Sequence, residues 1–261
     1  MQSLKVVAVL AGFAAATMLA VGCGSGSTRA ALDRATSSDD PARFEFVDRP
    51  DAASLMECLG AAETLAVTVD TERNTMAVRR EGETNPVVIW TAEASFVDAA
   101  LLTAANGWIR VDHDLAEPTR SDVEAAVGPS LAGYVFADHV APGPVAVARS
   151  VLAVASDITE SESSPGEVTV SVKIDGSAGE LEGLDGEPVP SLRFRLVDGR
   201  IAAIGARLPA GEEESFGFVW EYSASADVAE VAPPLVATEI ADVAALVGSG
   251  DRRPPDCAMT P

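Results

Sequence analysis

The 261-residue chain carries 40 acidic and 18 basic residues, which gives it a formal net charge of −22 at pH 7. So negative a surface repels nucleic acid and anionic lipid headgroups and excludes both as electrostatic partners; the acidity is interpreted as keeping the protein soluble. With 48% hydrophobic residues, the chain is long enough for one substantial domain with its own core.

The N-terminus has the pattern of an export signal. Lys5 is the only charged residue among the first 22, and an apolar run continues from there to Val21. Cys23 follows directly after Ala20-Val21-Gly22, an arrangement that resembles the lipobox of bacterial lipoproteins, in which the cysteine thiol receives a diacylglyceryl group and becomes the first residue of the mature chain. The resemblance implies a lipoprotein signal peptide over residues 1–22 and a lipidated Cys23.

This interpretation places the protein at the cell membrane, anchored by lipid on its extracytoplasmic face, with residues 23–29 as lipidation site and flexible tether. The alternative is an uncleaved membrane-anchor helix. The apolar run is shorter than the roughly 20 residues that span a bilayer, and no basic cluster follows it, so the lipoprotein is favoured. A composition rich in Ala, Val, Gly, Asp, Glu and Arg is typical of high-GC genomes such as those of actinobacteria.

The two remaining cysteines, Cys58 and Cys257, form an even pair in an exported protein. We predict a disulfide between them, which would attach the tail at residues 249–261 to the N-terminal half of the chain. The alternative is two separate free thiols, with Cys58 buried among its apolar neighbours. No metal site is expected, because the chain has only two histidines and lacks a Cys-x-x-Cys motif.

The first half of the chain is predicted to consist mainly of strands. Phe44 and Phe46 alternate with polar residues from position 42 until Pro50 breaks the run, and the same period of two recurs further along. The further predicted strands are residues 65–69, 74–80, 86–91 and 107–111. Residues 95–102 fit a strand or a helix.

Helices are predicted at the start, in the middle and at the end of the chain, over residues 30–36, from 119 or 121 to 127, over 144–156 and over 238–247. Ser121 and Glu124 have the spacing of a capping box, and Pro129 is expected to divide the pattern that follows.

Alternating strands return in the last third of the chain. They are predicted at residues 168–174, 192–196, 201–208, 216–222 and, briefly, 228–231. Residues 161–166 are expected to form a polar loop and 175–190 an acidic, Gly-rich loop, while Asp198-Gly199 is a strong hairpin signal. Hairpin-linked strands with segregated helices indicate an α+β domain with an antiparallel sheet over residues 30–248.

Several stretches carry a family resemblance. They are AALDRAT and ARFEF within residues 30–46, FRLVDGRI at 194–201, FVWEY at 218–222 and VAPP at 231–234. In these stretches and in the order of its elements the chain resembles the LolA/LolB-like lipoproteins of actinobacteria, the group of LppX, LprA, LprF and LprG. The resemblance implies a strongly curved antiparallel sheet, a half-barrel, with helices packed over its concave face. It also implies an apolar cavity, which in some relatives holds acyl chains of lipids or lipoglycans.

We expect eight large apolar residues at strand spacing to line such a cavity. They are Leu65, Val67, Val69, Val88, Trp90, Phe194, Phe218 and Trp220. The alternative is that the same side chains meet the helices in an ordinary dry core. The first interpretation predicts a lipoprotein that binds acyl chains of a lipid or lipoglycan for transfer or shielding. The second predicts a membrane-tethered interaction module without lipid cargo, whose protein partner the sequence does not identify.

No enzymatic activity and no cofactor other than a bound lipid are expected. The chain lacks a Gly-x-Ser-x-Gly nucleophile motif, and Glu212 to Glu214 form a run typical of a solvated loop. His113 lies between Asp112 and Asp114, which we interpret as a surface charge cluster. The acidic loop at 175–190 lacks the ligand order of a calcium loop.

Overall fold

The computed structural model describes residues 29–52, 63–103, 105–174, 192–209, 215–223 and 228–240. The predicted signal peptide, Cys23, Cys58, the loop at 175–190, Cys257 and the end of the predicted closing helix lie outside these residues, so these expectations stay predictions. The described strands form one sheet in the order β12-β6-β5-β4-β3-β2-β1-β11-β10-β9-β8-β7. They are β1 (Arg43–Ala52), β2 (Leu65–Asp70), β3 (Thr75–Arg80), β4 (Val88–Thr91), β5 (Ala94–Asp98), β6 (Trp108–Asp112), β7 (Ala155–Ser164), β8 (Glu167–Ile174), β9 (Leu192–Val197), β10 (Arg200–Pro209), β11 (Ser215–Tyr222) and β12 (Thr238–Glu239).

Every neighbouring pair in the sheet is antiparallel except β12 with β6, which is parallel. The helices are α1 (Ala30–Ala35), α2 (Ala99–Leu102), α3 (Thr119–Val127), α4 (Pro129–Val135) and α5 (Pro144–Ala153). Both α4 and α5 begin with proline, which suits the first helical position because its missing N–H would have no partner there. Pro129 divides the helical segment as predicted.

The helices pack in two groups on opposite halves of the sheet. The first group, α2, α3 and α4, packs together and contacts β4 and β5, whereas the second, α1 and α5, contacts β8, β9 and β10. The central strands β3, β2, β1 and β11 lie between the two groups. The sheet is large, open and curved, so the predicted α+β fold class with a half-barrel sheet is confirmed.

The curvature brings the first helix group within reach of the centre of the sheet. Tyr134 at the end of α4 donates a hydrogen bond to Asp48 of β1, although α4 packs on β4. β4 and β1 are three strand spacings apart, each about 4.8 Å. A single tyrosine can bridge that separation only because the sheet curls around its interior.

Alternation along the strands separates an apolar inner face from a charged outer face. On β2, Leu65, Val67 and Val69 join the apolar core, while the residues between them face outward. Those outward residues are nevertheless buried, because paired side chains lie over this face. The pairs are Arg43 with Asp70 at 2.9 Å and Arg79 with Glu45 at 2.8 Å.

The predicted polar loop at residues 161–166 is wrong. β7 continues to Ser164 and pairs with β8 along its length, and only Pro165 and Gly166 form the turn. The predicted helix over 144–156 ends earlier, at Ala153, because Ala155 already belongs to β7. β7 is an edge strand, and polar, acidic side chains on such a strand disfavour pairing with other chains. Because this sequence lacks the alternation of apolar residues, the strand was not predicted.

The capping box predicted from Ser121 and Glu124 is also wrong. α3 begins at Thr119, so Ser121 lies inside the helix, and its hydroxyl donates to Glu117 at 2.6 Å. Glu124 instead pairs with Arg120 at 3.0 Å, one helical turn away. Residues 228–231 form no strand, and the predicted closing helix begins with the two residues of β12.

Helix α5 is capped by a side chain from a distant loop. The two oxygens of Asp40 accept hydrogen bonds from the backbone N–H groups of Val145 and Ala146, both at 2.8 Å. These amides lack partners within the helix, and a carboxylate is favourable at a helix N-terminus. Arg149 donates to the carbonyl oxygens of Thr36 and Ser38. The loop is therefore attached to α5 both at the N-terminus of the helix and at Arg149.

We predict that Gly143→Ala destabilises the protein through this cap. A Cβ atom at position 143 would lie 2.3 Å from Cγ of Asp40 and would push the carboxylate away from the helix amides. We expect the free energy of unfolding, measured in urea, to fall by about 2 kcal/mol, from overpacking and the weakened cap. In an Asp40→Ala background the same change should cost much less, and an equal cost in both backgrounds would contradict the mechanism.

Candidate functional site

Seven of the eight predicted lining residues lie together in one buried apolar core. They are Leu65, Val67, Val69, Val88, Trp90, Phe194 and Trp220. The eighth, Phe218, belongs to β11, in a part of that strand whose side chains lie outside the description. The same core includes side chains from all five helices, such as Leu32, Leu102, Val123, Leu131 and Val151. These seven residues therefore share one core with the helices, and their role as the lining of a cavity stays a prediction.

These residues are tightly packed. Val67, Val69, Val88 and Phe194 have an exposed fraction of 0%. A side chain that borders a space large enough for water would keep some exposure, so no such space touches them. At these positions the interior is a dry core, and acyl chains could enter only if the helices moved away from the sheet.

An aromatic cluster lies on the inner face where β1 meets β11. Phe46 lies 5.5 Å from Trp220 and 5.6 Å from Tyr222 between ring centroids, and Phe44 lies 6.2 Å from Tyr222. The register places Phe46 opposite Tyr222 and Asp48 opposite Trp220. The aromatic rings therefore form an apolar surface on the central strands, between the two helix groups.

A carboxylate lies at the edge of this aromatic cluster. Asp48 accepts a hydrogen bond of 2.6 Å from the hydroxyl of Tyr134 and a second from the indole N–H of Trp220. Burial raises the pKa of Asp48, and the two hydrogen bonds oppose that rise by stabilising the charged form. The carboxyl group thus connects α4, β1 and β11 through donors that carry no charge.

The hydroxyl of Tyr222 is buried near this carboxylate but is not bonded to it. Among the described residues, it is the one buried side-chain N or O atom without a hydrogen-bond partner. Burial and the negative charges of Asp40 and Asp48 raise the pKa of Tyr222 well above its usual value. Its proton therefore stays in place and remains available for donation.

The second polar cluster joins the end of α4 to β4 and β5. Ser95 donates to the carbonyl oxygen of Val135 at 2.6 Å, and the indole N–H of Trp90 donates to that of Ala137 at 2.8 Å. The ring of His113 stacks on Trp90 with centroids 5.4 Å apart. The interpretation of His113 as part of a surface charge cluster is therefore incomplete, because one side of its ring is packed.

The hydrogen bond between Ser95 and His113 does not run in the direction that a nucleophile and its general base require. Nε2 of His113 lies 3.2 Å from the hydroxyl oxygen, but the only hydroxyl proton is donated to Val135. Nε2 must therefore be the donor, which is the reverse of what activation of a serine requires. Burial lowers the pKa of His113, and Ser95 has 0% exposure. We interpret this cluster as structural.

Sequence analysis missed Asp48, Tyr134 and Tyr222. The signal for Asp48 was present, because it follows Phe44 and Phe46 at strand spacing and so places a carboxylate on the apolar face. Its partner could not be found in this way, since Tyr134 is 86 residues away in sequence.

No group of three or more His, Cys, Asp or Glu side chains among the described residues could hold a metal ion. Likewise, none of the helices described is both long and apolar enough to cross a membrane.

Comparisons with known proteins give matches in structure only. No protein-family model and no curated protein matches the sequence. The lipoprotein LppX of Mycobacterium tuberculosis matches with a TM-score of 0.45 and 8% identity, over 79% of this chain and 100% of that one. A LolA superfamily protein of Nitrosomonas europaea matches with a TM-score of 0.27 and 11% identity, over 76% of this chain and 92% of that one.

We predict that replacement by phenylalanine affects stability differently at the two tyrosines. Tyr134→Phe removes a donor from a buried carboxylate and should lower the free energy of unfolding by about 1–3 kcal/mol. Tyr222→Phe removes a hydroxyl that has no partner in the described part of the chain, so it should be neutral or stabilising by about 1 kcal/mol. Urea unfolding of both variants measures the contrast, and equal losses would contradict the hydrogen-bond assignment.

A pH prediction follows from the raised pKa of Asp48. Between 3.8 and its raised pKa the folded chain binds more protons than the unfolded chain, so this carboxyl lowers the stability as the pH rises through that window. Asp48→Asn removes the titration but keeps an acceptor for Tyr134. The stability of the variant relative to wild type should therefore increase from about pH 4 to about pH 7.

The measurement is urea unfolding of both proteins across that range. Glu221→Gln, on the outer face of β11, serves as a control whose stability difference from wild type should not follow this trend. A difference for Asp48→Asn that stays constant or falls with rising pH would refute the assignment.

Proposed function

We propose that this chain is a lipid-anchored protein of the cell envelope that binds acyl chains of a lipid or lipoglycan between its sheet and its helices, for transfer or shielding. It is attached to the membrane through Cys23 and acts by binding rather than by catalysis. The observation that carries the proposal is the division of the helices into two groups over one continuous apolar core.

That division supports binding because each helix group packs on one half of the sheet, whereas the central strands lie between the two groups. Over β1 and β11 the inner face presents aromatic rings, and α4 is held there by the bond from Tyr134 to Asp48. Separating the two helix groups would therefore expose a continuous apolar surface while breaking few polar contacts. Each acyl CH₂ that it buries contributes about 0.8 kcal/mol.

A second function is favoured by the packing at Val67 and its neighbours. A core that excludes even water is what a membrane-tethered interaction module without lipid cargo requires. Such a module would bind a protein partner through its acidic surface. The two functions differ in whether the interior opens to acyl chains.

Lipid extraction distinguishes the two functions. The chain from Gly24, purified from a lipid-containing host, is extracted with organic solvent and analysed by mass spectrometry beside an unrelated protein. Under the proposed function we expect stoichiometric phospholipid or glycolipid. A folded protein that yields no lipid would exclude a carrier that retains its cargo and favour the interaction module.

A matched pair of variants tests whether the lipid is bound in the interior. Val67→Trp fills the core below the helices and should abolish co-purifying lipid while costing about 1–3 kcal/mol of stability. Val197→Trp makes the same change at an exposed valine of β9 and should leave the lipid content unchanged. Equal lipid content in both variants would show that the lipid is bound elsewhere.

A further inference from the structure

Unused hydrogen-bonding capacity remains in the centre of the apolar interior. Among the described residues, the buried hydroxyl of Tyr222 has no partner, and Asp48 accepts two hydrogen bonds although a carboxylate has about four acceptor sites. A buried hydroxyl left unpaired is unfavourable, and native structures contain few of them. Either a small molecule satisfies this hydroxyl or it is retained for a purpose other than stability.

The register places the two residues diagonally across the pair of β1 and β11. Asp48 is opposite Trp220, and Tyr222 is two residues further along β11 on the same face. Such diagonal neighbours are roughly 7–8 Å apart between Cα atoms, and the charge of Asp48 acts on the Tyr222 hydroxyl. An oxygen atom between the two groups could form a hydrogen bond of about 2.7 Å to each.

The charge around these groups limits what can bind. In the described parts of β2, β1, β11 and β10, no residue on the face of Asp48 is basic. On β3, Arg80 shares that face at the end of the strand, where it is paired with Glu63 at 3.0 Å. The arginines of β1, Arg43 and Arg49, lie on the opposite face and pair there with acidic side chains. With Asp48 and Asp40 both near the Tyr222 hydroxyl, a phosphate or carboxylate would be repelled.

We propose that Tyr222 and Asp48 form a polar subsite in the interior that binds the hydroxyl group of an uncharged acyl-chain lipid. A hydroxyl has one donor and two acceptor positions, so it donates to a carboxylate oxygen of Asp48 and accepts from Oη of Tyr222. The aromatic rings of Phe44 and Phe46 pack beside the first methylene groups of the chain. This inference rests on the proposed function and specifies its cargo.

The subsite also accounts for a tyrosine at position 222 where phenylalanine would pack equally well. The ring of Tyr222 already contacts Phe44 and Phe46, and only its hydroxyl lacks a role in folding. A trapped water would satisfy the same two groups, but it would confer no preference among lipids. Selectivity for a hydroxyl therefore separates the two explanations.

The experiment is a competition between probes that differ in one group. The mature chain, with Cys23→Ser to remove the anchor, is incubated with equal amounts of oleyl alcohol and oleyl methyl ether. After gel filtration the retained lipids are extracted and quantified by mass spectrometry. We expect the alcohol to be retained about tenfold over the ether, which corresponds to one added hydrogen bond.

Three variants test which side chains form the hydrogen bonds to the probes. Asp48→Asn replaces the charged acceptor of the alcohol proton by a weaker one and should lower the ratio. Tyr222→Phe removes a donor from which both probes accept, so it should lower the retention of both while thermal stability is kept. Glu221→Gln, on the same strand but on the outer face, should leave the ratio at about tenfold. In a second competition, oleate should be retained less than the alcohol.

The outcomes separate this inference from the function on which it rests. Equal retention of alcohol and ether by wild type, an unchanged ratio in Asp48→Asn, or undiminished retention of both probes by Tyr222→Phe would overturn the subsite and leave acyl-chain binding standing. Retention of oleate as strong as that of the alcohol would also overturn it. Retention of neither probe by folded wild-type protein would overturn the subsite together with the proposed function.

Discussion

The structure depends on a mismatch between a wide sheet and short helices. Twelve strands at about 4.8 Å spacing would span roughly 55 Å if flat, whereas a helix with its side chains is only about 10–12 Å wide. The five helices of the described residues are at most ten residues, or about 15 Å, long and cannot cover such a face. The sheet must therefore curve, so that its inner side chains contact each other as well as the helices. Curvature brings Tyr134 from above β4 to Asp48 on β1 and gathers the apolar residues into one core.

The same curvature concentrates the interior polarity in one place. Tyr134 and Trp220 stabilise the buried carboxylate of Asp48, whereas Tyr222 contributes an aromatic ring to the core and a hydroxyl that nothing in the described structure uses. Natural proteins often keep such unfavourable groups where binding requires them. At position 222 phenylalanine would then favour the stability of the fold, whereas tyrosine would favour binding of a polar group in the interior.

Most strands could be predicted from the sequence, because an inner apolar face produces a period of two. Leu192, Phe194 and Leu196 illustrate this, and Asp198 and Gly199 take the positive φ angles of a tight hairpin turn, 50° and 75°. Prediction failed where tertiary structure overrides the local pattern. β7 is an acidic edge strand without alternation, and Ser121 is drawn to Glu117 inside a helix that begins earlier than its capping signal. The large apolar residues of the inner face could be predicted in this way, but the hydrogen bond from Tyr134 to Asp48 depends on curvature, which no local pattern encodes.

The acidity of the chain also has a structural consequence for its interior. Basic residues are few, and those of the described central strands that bear on the interior are paired with carboxylates: Arg43, Arg49 and Arg79 on the outer face, and Arg80 with Glu63 at the end of β3. The carboxylate of Asp48 is instead stabilised by neutral donors, which tyrosine and tryptophan supply. In this part of the described structure no unpaired cation is left to neutralise an anionic headgroup. The distribution of charge that keeps the outer surface acidic therefore also favours ligands whose buried part is uncharged.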